Sequence, residues 1–181
     1  MDAITLLRED HRTVEKLFKE FEKAGPRAGK TKAKLVKQII TELAVHAAIE
    51  EQVFYPAVRD AVEDTDALVL EALEEHHIVK WVLSELENMT PDDERFVAKV
   101  TVLIENVRHH VEEEQDDLFP EVRRALGRKQ LAELGEALAK AKKAAPTRPH
   151  PKAPDEPPGN VVAGAVSGAM DRARDALHIA S

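Results

Sequence analysis

Apolar residues recur at intervals of three and four through most of the first 126 positions of the chain. This period predicts amphipathic helices rather than strands. Prolines, glycines and capping residues interrupt the pattern and divide it into four long helices. We expect a kink or break at Pro56 and at Pro120, because a proline inside a helix removes a hydrogen bond. The predicted helices cover about residues 2–24, 31–56, 64–89 and 92–120.

The connections between these helices are short, at residues 25–30 and 90–93, which favours antiparallel neighbours. Gly127 separates the fourth helix from a shorter fifth one at about 129–144. The composition agrees, since the chain is rich in Ala, Leu, Glu and Lys and has only seven glycines. The sequence therefore predicts an all-α protein, an up-down-up-down antiparallel four-helix bundle with an additional C-terminal helix.

The character of the sequence changes after the fifth helix. Residues 146–159 hold six of the ten prolines, which predicts an extended, poorly ordered linker. Residues 160–181 carry apolar side chains such as Val162 and Val166 at helical spacing, and we expect this amphipathic segment to dock on the bundle or on a protein partner. The predicted organisation is a helical domain at 1–145, a Pro-rich linker at 146–159 and a terminal segment at 160–181.

One histidine lies on the apolar stripe of each long helix. His11 and His76 come about ten residues after a helix start, whereas His46 and His110 come ten residues before a proline. In antiparallel packing the start of one helix is level with the end of the next, and ten residues span roughly 15 Å. The four imidazoles are therefore predicted to lie at one depth and to face one axis.

Two glutamates join this predicted cluster. Glu50 follows His46 by four residues, and Glu114 follows His110 by four, a spacing that puts each pair on one face of its helix. Four imidazoles and two carboxylates are costly to bury together, because an unpaired buried charge costs several kcal/mol. A metal cation would compensate for that cost. The predicted metal ligands are His11, His46, Glu50, His76, His110 and Glu114.

A repeat within the chain supports this interpretation. A single histidine on an apolar face is usually a core residue, and an isolated His-x-x-x-Glu pair is usually a surface ion pair. Here, however, the residues from Glu9 onward align with those from Glu74, which matches His11 to His76. Two copies of a helix pair, each with both features, indicate a site rather than coincidence.

The ligand types restrict the metal. The chain has no cysteine, so thiolate chemistry and sulfur ligands are excluded. Imidazole and carboxylate ligands together suit Fe, Mn or Zn. Two carboxylates shared among four histidines suggest two cations that are bridged by Glu50 and Glu114.

Charge and hydropathy exclude other partners. A formal net charge of −8 and a pI near 5.5 disfavour binding to a nucleic acid backbone. The chain shows neither a signal-peptide pattern nor a run of 18 apolar residues. We therefore expect a cytoplasmic protein with no nucleic acid or membrane partner.

Residues 1 to about 126 resemble the hemerythrin-like (HHE cation-binding) domains. The resemblance rests on His11, on LEEHH around His76, and on HAAIEEQVFYP and HHVEEEQDDLFP at 46–56 and 109–120. It implies a four-helix bundle that holds two non-haem iron ions, bridged by carboxylates and by an oxo group. It also implies that the centre binds oxygen or related small molecules such as H2O2 and NO.

The chain departs from the oxygen-carrying hemerythrins, which have a fifth histidine four residues from another on the third helix. The positions four residues either side of His76 are Ala72 and Lys80. The remaining candidates for a fifth ligand are His77, His109, Tyr55 and other acids. The two histidines each lie about 100° around the helix from a predicted ligand, which favours outer or surface positions for them.

Three functions stay open on the sequence. One is a module that binds O2 or NO for sensing, delivery or scavenging. Another is an enzyme that disproportionates H2O2 or reduces NO, which the missing fifth histidine favours. The third is metal storage or a structural zinc-bound bundle, with the C-terminal segment as a handle for a partner.

The residues around the motifs are assigned lesser roles. We expect Glu42 and Tyr55 to orient ligands or donate protons, and Trp81 to lie in the core or to serve packing. Glu15 follows His11 by four residues but sits among basic side chains, which favours a surface ion pair. The acids expected on solvated faces are Glu51, Glu112, Glu113 and Asp116.

Overall fold

The computed structural model of the protein describes residues 1–179, and within that range the regular structure is helical. The helices are α1 (Ala3–Lys23), α2 (Gly29–Ile49), α3 (Tyr55–Ala61), α4 (Asp66–Leu86), α5 (Phe96–Glu113), α6 (Phe119–Ala125), α7 (Arg128–Ala144) and α8 (Gly159–Ile179). Short π-helical turns join α2 to α3 and α5 to α6 without a loop. They are Glu50–Phe54 and Glu114–Leu118.

Four helical rods form the bundle: α1, α2 with α3, α4, and α5 with α6. α1 packs against α2, and α4 packs against α5, while α7 lies across α1 and α2. Each half of the bundle is therefore a helix pair whose second member contains a π turn and a short extension. The predicted all-α bundle with an additional helix is confirmed.

Of the kink or break expected at each proline, the structure shows no break, because a π turn joins the two helices. The backbone N–H of Tyr55 donates to the carbonyl of Glu50, five residues earlier, which is the wider hydrogen bond of a π turn. Pro56 then falls in the first turn of α3, where a missing N–H is tolerated. The second π turn repeats this arrangement before Pro120. The π turns thus let both rods continue past their prolines.

The apolar core consists of two clusters with a polar layer between them. Along α1, Leu7 belongs to one cluster and Val14 to the other, and the buried His11 lies between them. The polar layer is therefore enclosed by apolar side chains towards both ends of the bundle. Large members are Ile4, Phe54 and Phe119 in the first cluster and Phe18, Ile39 and Leu83 in the second.

The C-terminal part folds back on the bundle. The proline-rich segment, predicted to extend, forms turns in which Pro149 is buried. α8 docks through its small and polar face, where the buried Asn160 donates a hydrogen bond to the carbonyl of Glu51. The apolar side chains that suggested docking face solvent instead, since Val162 is 67% and Val166 58% exposed.

The predicted terminal segment ran from 160 to 181, of which residues 180 and 181 lie outside the described range. Within the described range, no helix combines the length and the apolar character needed to cross a membrane.

Replacement of Gly135 by alanine is expected to destabilise the protein, because α7 approaches the start of α1 closely there. A Cβ atom at Gly135 would lie 2.3 Å from the carbonyl oxygen of Met1 and 2.9 Å from the backbone nitrogen of Ala3. Such overpacking costs about 1–3 kcal/mol in the free energy of unfolding, which urea denaturation measures. The control is Gly25→Ala, whose Cβ would meet nothing within 4 Å. Equal stability of the two variants would contradict this account of the packing.

Candidate metal centre

The four predicted histidines meet at one level of the bundle, each from a different rod. Nε2 of His11 lies 3.1 Å from Nε2 of His46, and Nε2 of His76 lies 3.1 Å from Nε2 of His110. All four side chains are buried. The imidazoles therefore form two pairs, in which the Nε2 atoms face the interior of the layer.

Glu50 and Glu114 enter this layer from the first residue of each π turn. Oε2 of Glu50 lies 3.1 Å from Nε2 of His46 and 3.4 Å from Nε2 of His76, so it contacts one histidine of each pair. Oε2 of Glu114 lies 3.3 Å and 3.7 Å from the Nε2 atoms of the other two histidines. Each carboxylate lies where a ligand that bridges two cations would lie.

Unsatisfied oxygen atoms show that the layer suits a cation. Both carboxylate oxygens of Glu50 and Oε2 of Glu114 are buried and, within residues 1–179, lack a hydrogen-bond partner. Each such atom costs about 1–3 kcal/mol, and a bound cation would satisfy all three. Two groups of ligand atoms are close enough to hold a metal, namely His11, His46, Glu50 and Glu114, and Glu50, His76 and His110. The six residues predicted as ligands thus fit a pair of cations.

Burial shifts the protonation of the centre. It lowers the pKa of His46 to about 4 and the pKa of His76 well below its ordinary value, so both rings are neutral at pH 7. Burial, followed by the charge of Glu114, raises the pKa of Glu50 well above its ordinary value. Burial acts on Glu114 in the same direction, but the surrounding histidines, His110 first, outweigh it and hold the pKa of Glu114 below its ordinary value. The metal-free carboxylate pair therefore keeps a proton to a higher pH than two separate, exposed glutamates would.

Polar groups also contact the outward-facing Nδ1 atoms of the imidazoles. In one half, Oε1 of Glu51 lies 3.1 Å from Nδ1 of His76, and Oε2 of Glu75 lies 2.7 Å from Nδ1 of His110. A carboxylate at Nδ1 holds the proton on that atom and leaves Nε2 free for a metal.

The other half is less closely paired. Asp10 lies 3.8 Å from Nδ1 of His46, beyond hydrogen-bond distance, and this Nδ1 atom has no hydrogen-bond partner within residues 1–179. The amide of Gln115 lies 3.3 Å from Nδ1 of His11. These partners follow the sequence repeat, because an acid precedes the first histidine of each half and a Glu or Gln follows each bridging glutamate. That regularity is the signal by which the partners could have been predicted.

Two of the acids near the Nδ1 atoms, Glu51 and Asp10, are themselves paired with lysines. Nζ of Lys80 donates to Glu51 at 3.0 Å and also pairs with Asp155 of the proline-rich segment. Lys142 of α7 pairs with Asp10. Helix α7 and the C-terminal segment therefore supply charged side chains that pair with the groups around the histidines. The sequence did not indicate this role.

Two expectations for neighbouring residues are wrong. Glu51 is 5% exposed rather than solvated, and burial raises its pKa to about 7 although Lys80 opposes the shift. Trp81 is 45% exposed rather than in the core. Glu15 does form the expected surface ion pair, in its case with Arg108.

Among the candidates for a fifth ligand, Tyr55 has a hydroxyl that reaches the buried layer. Its buried hydroxyl donates a 2.9 Å hydrogen bond to Glu114 and lies 3.4 Å from Nε2 of His76. Burial, with the charge of Glu114, raises the pKa of Tyr55 well above its ordinary value, so the phenol keeps its proton. The side chains of His77 and His109 are 40% and 64% exposed, which agrees with outer or surface positions.

A small cavity lies against all four imidazoles. Its volume is about 20 Å³, which is enough for one water-sized molecule. Apart from the histidines, its walls are aliphatic. They are Val14, Leu43, Ala47, Val79, Val107 and Val111.

The sequence matches a known domain family and resembles two known proteins. The sequence model of the Hemerythrin HHE cation binding domain matches residues 2–122. An uncharacterized hemerythrin-like protein from Schizosaccharomyces pombe is 27% identical over 170 residues, which is 93% of this chain and 83% of that protein. A DNA nickase from Nostoc sp. is 28% identical over 142 residues, which is 78% of this chain but 39% of the nickase.

A solved structure shows the same fold. The crystal structure of a hemerythrin HHE cation-binding domain-containing protein from Mycobacterium kansasii has a TM-score of 0.68 at 24% identity, with 79% of this chain and 86% of that chain covered. The family match over residues 2–122 includes all six residues of the centre. The chain therefore belongs to the hemerythrin HHE cation-binding domain family.

Proposed function

We propose that this protein holds two non-haem iron ions at its metal centre and uses them to bind or process O2, H2O2 or NO. His11 and His46 would hold one ion and His76 and His110 the other, while the carboxylates of Glu50 and Glu114 would bridge them. Iron with nitrogen and oxygen ligands and an open position supplies redox chemistry towards small oxidants and gases. Zinc or manganese also suits these ligands.

The observation that carries this proposal is the cavity of about 20 Å³ beside the four imidazoles. A space of this size admits a molecule of one or two heavy atoms and excludes organic substrates, whose pockets measure about 300–1,000 Å³. Its aliphatic walls offer no hydrogen bonds, so an uncharged molecule enters at less cost than an ion. O2, NO and H2O2 have the required size and charge.

The surroundings of Tyr55 support the enzyme alternative over simple reversible carriage. Ala72 cannot ligate, and Lys80 extends to Glu51 and Asp155 instead of the centre. In their place, the phenol of Tyr55 keeps a proton beside Glu114. Disproportionation of H2O2 into water and O2 requires proton transfer, and this phenol can donate within the buried layer.

The likeness to a DNA nickase does not lead us to propose action on DNA. The chain matches 39% of that protein, and its formal net charge of −8 would repel the phosphate backbone. The alternative functions are metal storage and a structural zinc site. The identity and number of bound metals distinguish these alternatives from the proposed function.

Anaerobic loading with ferrous iron is expected to give two irons per chain, as measured by elemental analysis and by the optical spectrum after exposure to air. His46→Ala should lose iron, because it removes one ligand of a buried pair. His109→Ala is the matched control, since His109 is a largely exposed neighbour of a predicted ligand. Binding of zinc alone, or equal iron content in the two variants, would favour a structural or storage role.

Metal affinity is expected to fall as the pH is lowered. The pKa of Glu50 is raised by burial, so its proton must leave before the carboxylate can bridge, and affinity is lost as the pH falls through that raised pKa. Loading at pH 7 should release about one proton per chain. Calorimetric titration with Zn²⁺ in two buffers of different ionisation enthalpy measures this release. Heats that do not depend on the buffer would show that Glu50 is already ionised.

Tyr55→Phe tests the enzyme alternative. In the iron-loaded protein, loss of the phenolic proton is expected to slow O2 evolution from H2O2 by roughly 100-fold, while iron content stays at two per chain. An oxygen electrode measures the rate, with His109→Ala as the control for substitution in the same domain. Evolution no faster than that of free iron in the unsubstituted protein would leave reversible binding as the function.

A further inference from the structure

The bundle is open along the seam between α1 and α5. These helices do not pack closely against each other, and a groove of about 800 Å³ lies between them. Its apolar lining includes Val14 and Phe18 of α1 and Val107 and Val111 of α5. The groove reaches His11, one of the predicted ligands.

The groove and the internal cavity share a wall. His11, Val14, Val107 and Val111 line both spaces. Val14 and Val107 are 3% and 5% exposed, whereas Val111 is half-buried. Three valine side chains therefore separate the surface groove from the space beside the imidazoles.

An ion-pair bridge spans the groove. Arg108 of α5 reaches across to α1, where it donates to Glu15 at 3.0 Å and to Glu22 at 2.8 Å. Its guanidinium lies 5.9 Å from the centre of the Phe18 ring. Arg108 therefore links the two helices that border the groove.

We propose that the α1–α5 groove is the entrance to the metal centre, and that Val14, Val107 and Val111 form an aliphatic gate that admits small uncharged molecules. The inference rests on the proposed function and adds a route to it. Valine side chains can rotate aside for a molecule of two heavy atoms. They offer a hydrated ion nothing to replace its water, so the gate selects against charged oxidants and anions.

The test compares two Val→Ala variants that remove the same volume from the cavity wall. Val111 lines both groove and cavity, whereas Val79 of α4 lines the cavity alone. The probe is NO, mixed with protein loaded anaerobically with ferrous iron in a stopped-flow spectrophotometer. Val111→Ala should raise both the association and the dissociation rate several-fold and leave the equilibrium affinity nearly unchanged, because a gate affects passage in both directions. Val79→Ala enlarges the cavity without widening the groove, so it should raise the association rate less than Val111→Ala does.

A bulkier side chain should act in the opposite direction. Val111→Phe is expected to slow NO association several-fold, with iron content and the optical spectrum before mixing unchanged. Equal association rates in the Val111→Ala and Val79→Ala variants would place the entrance elsewhere and overturn this inference alone. Absence of any NO-dependent spectral change in the unsubstituted, iron-loaded protein would remove NO from the proposed small molecules and overturn the gate with it.

Discussion

The burial of six ionisable side chains in one layer is the constraint on which the rest of this structure depends. Four imidazoles and two carboxylates lie between two apolar clusters. Three carboxylate oxygens have no hydrogen-bond partner among residues 1–179, so positive charge inside the layer would stabilise it. The helix register, the π turns and the outer acids all serve to bring these groups to one level.

The π turns show how backbone geometry meets this constraint. Each begins at a buried glutamate, Glu50 or Glu114, and ends just before a helix that contains a proline. A π turn holds an additional residue per turn, so it changes which side chains face the axis in the short helix that follows. The first turn also contains Glu51, which contacts His76.

Helical periodicity and the repeat were sufficient to predict the bundle and the convergence of the six side chains, because both depend on local spacing. Glu51 was missed because, in the sequence, an acid next to a predicted ligand resembles a solvated one. Trp81 is 45% exposed, because its apolar side chain lies on a face of α4 that periodicity alone does not distinguish from the core. The contact of Asp155 with Lys80 joins residues 75 positions apart, and composition alone does not reveal such a contact. Roles of individual residues as ligands stay predictions.

The difference between Glu51 and Gln115 has a consequence for the balance of the centre. At the histidine pair His76 and His110, two carboxylates contact Nδ1 atoms at 3.1 Å and 2.7 Å. At the other pair, an amide at 3.3 Å and a carboxylate at 3.8 Å take those places. Carboxylate partners make imidazole a stronger electron donor, so the two ends of the centre stabilise positive charge unequally. The two similar halves of the bundle thus form a centre whose two histidine pairs are not electrostatically equivalent.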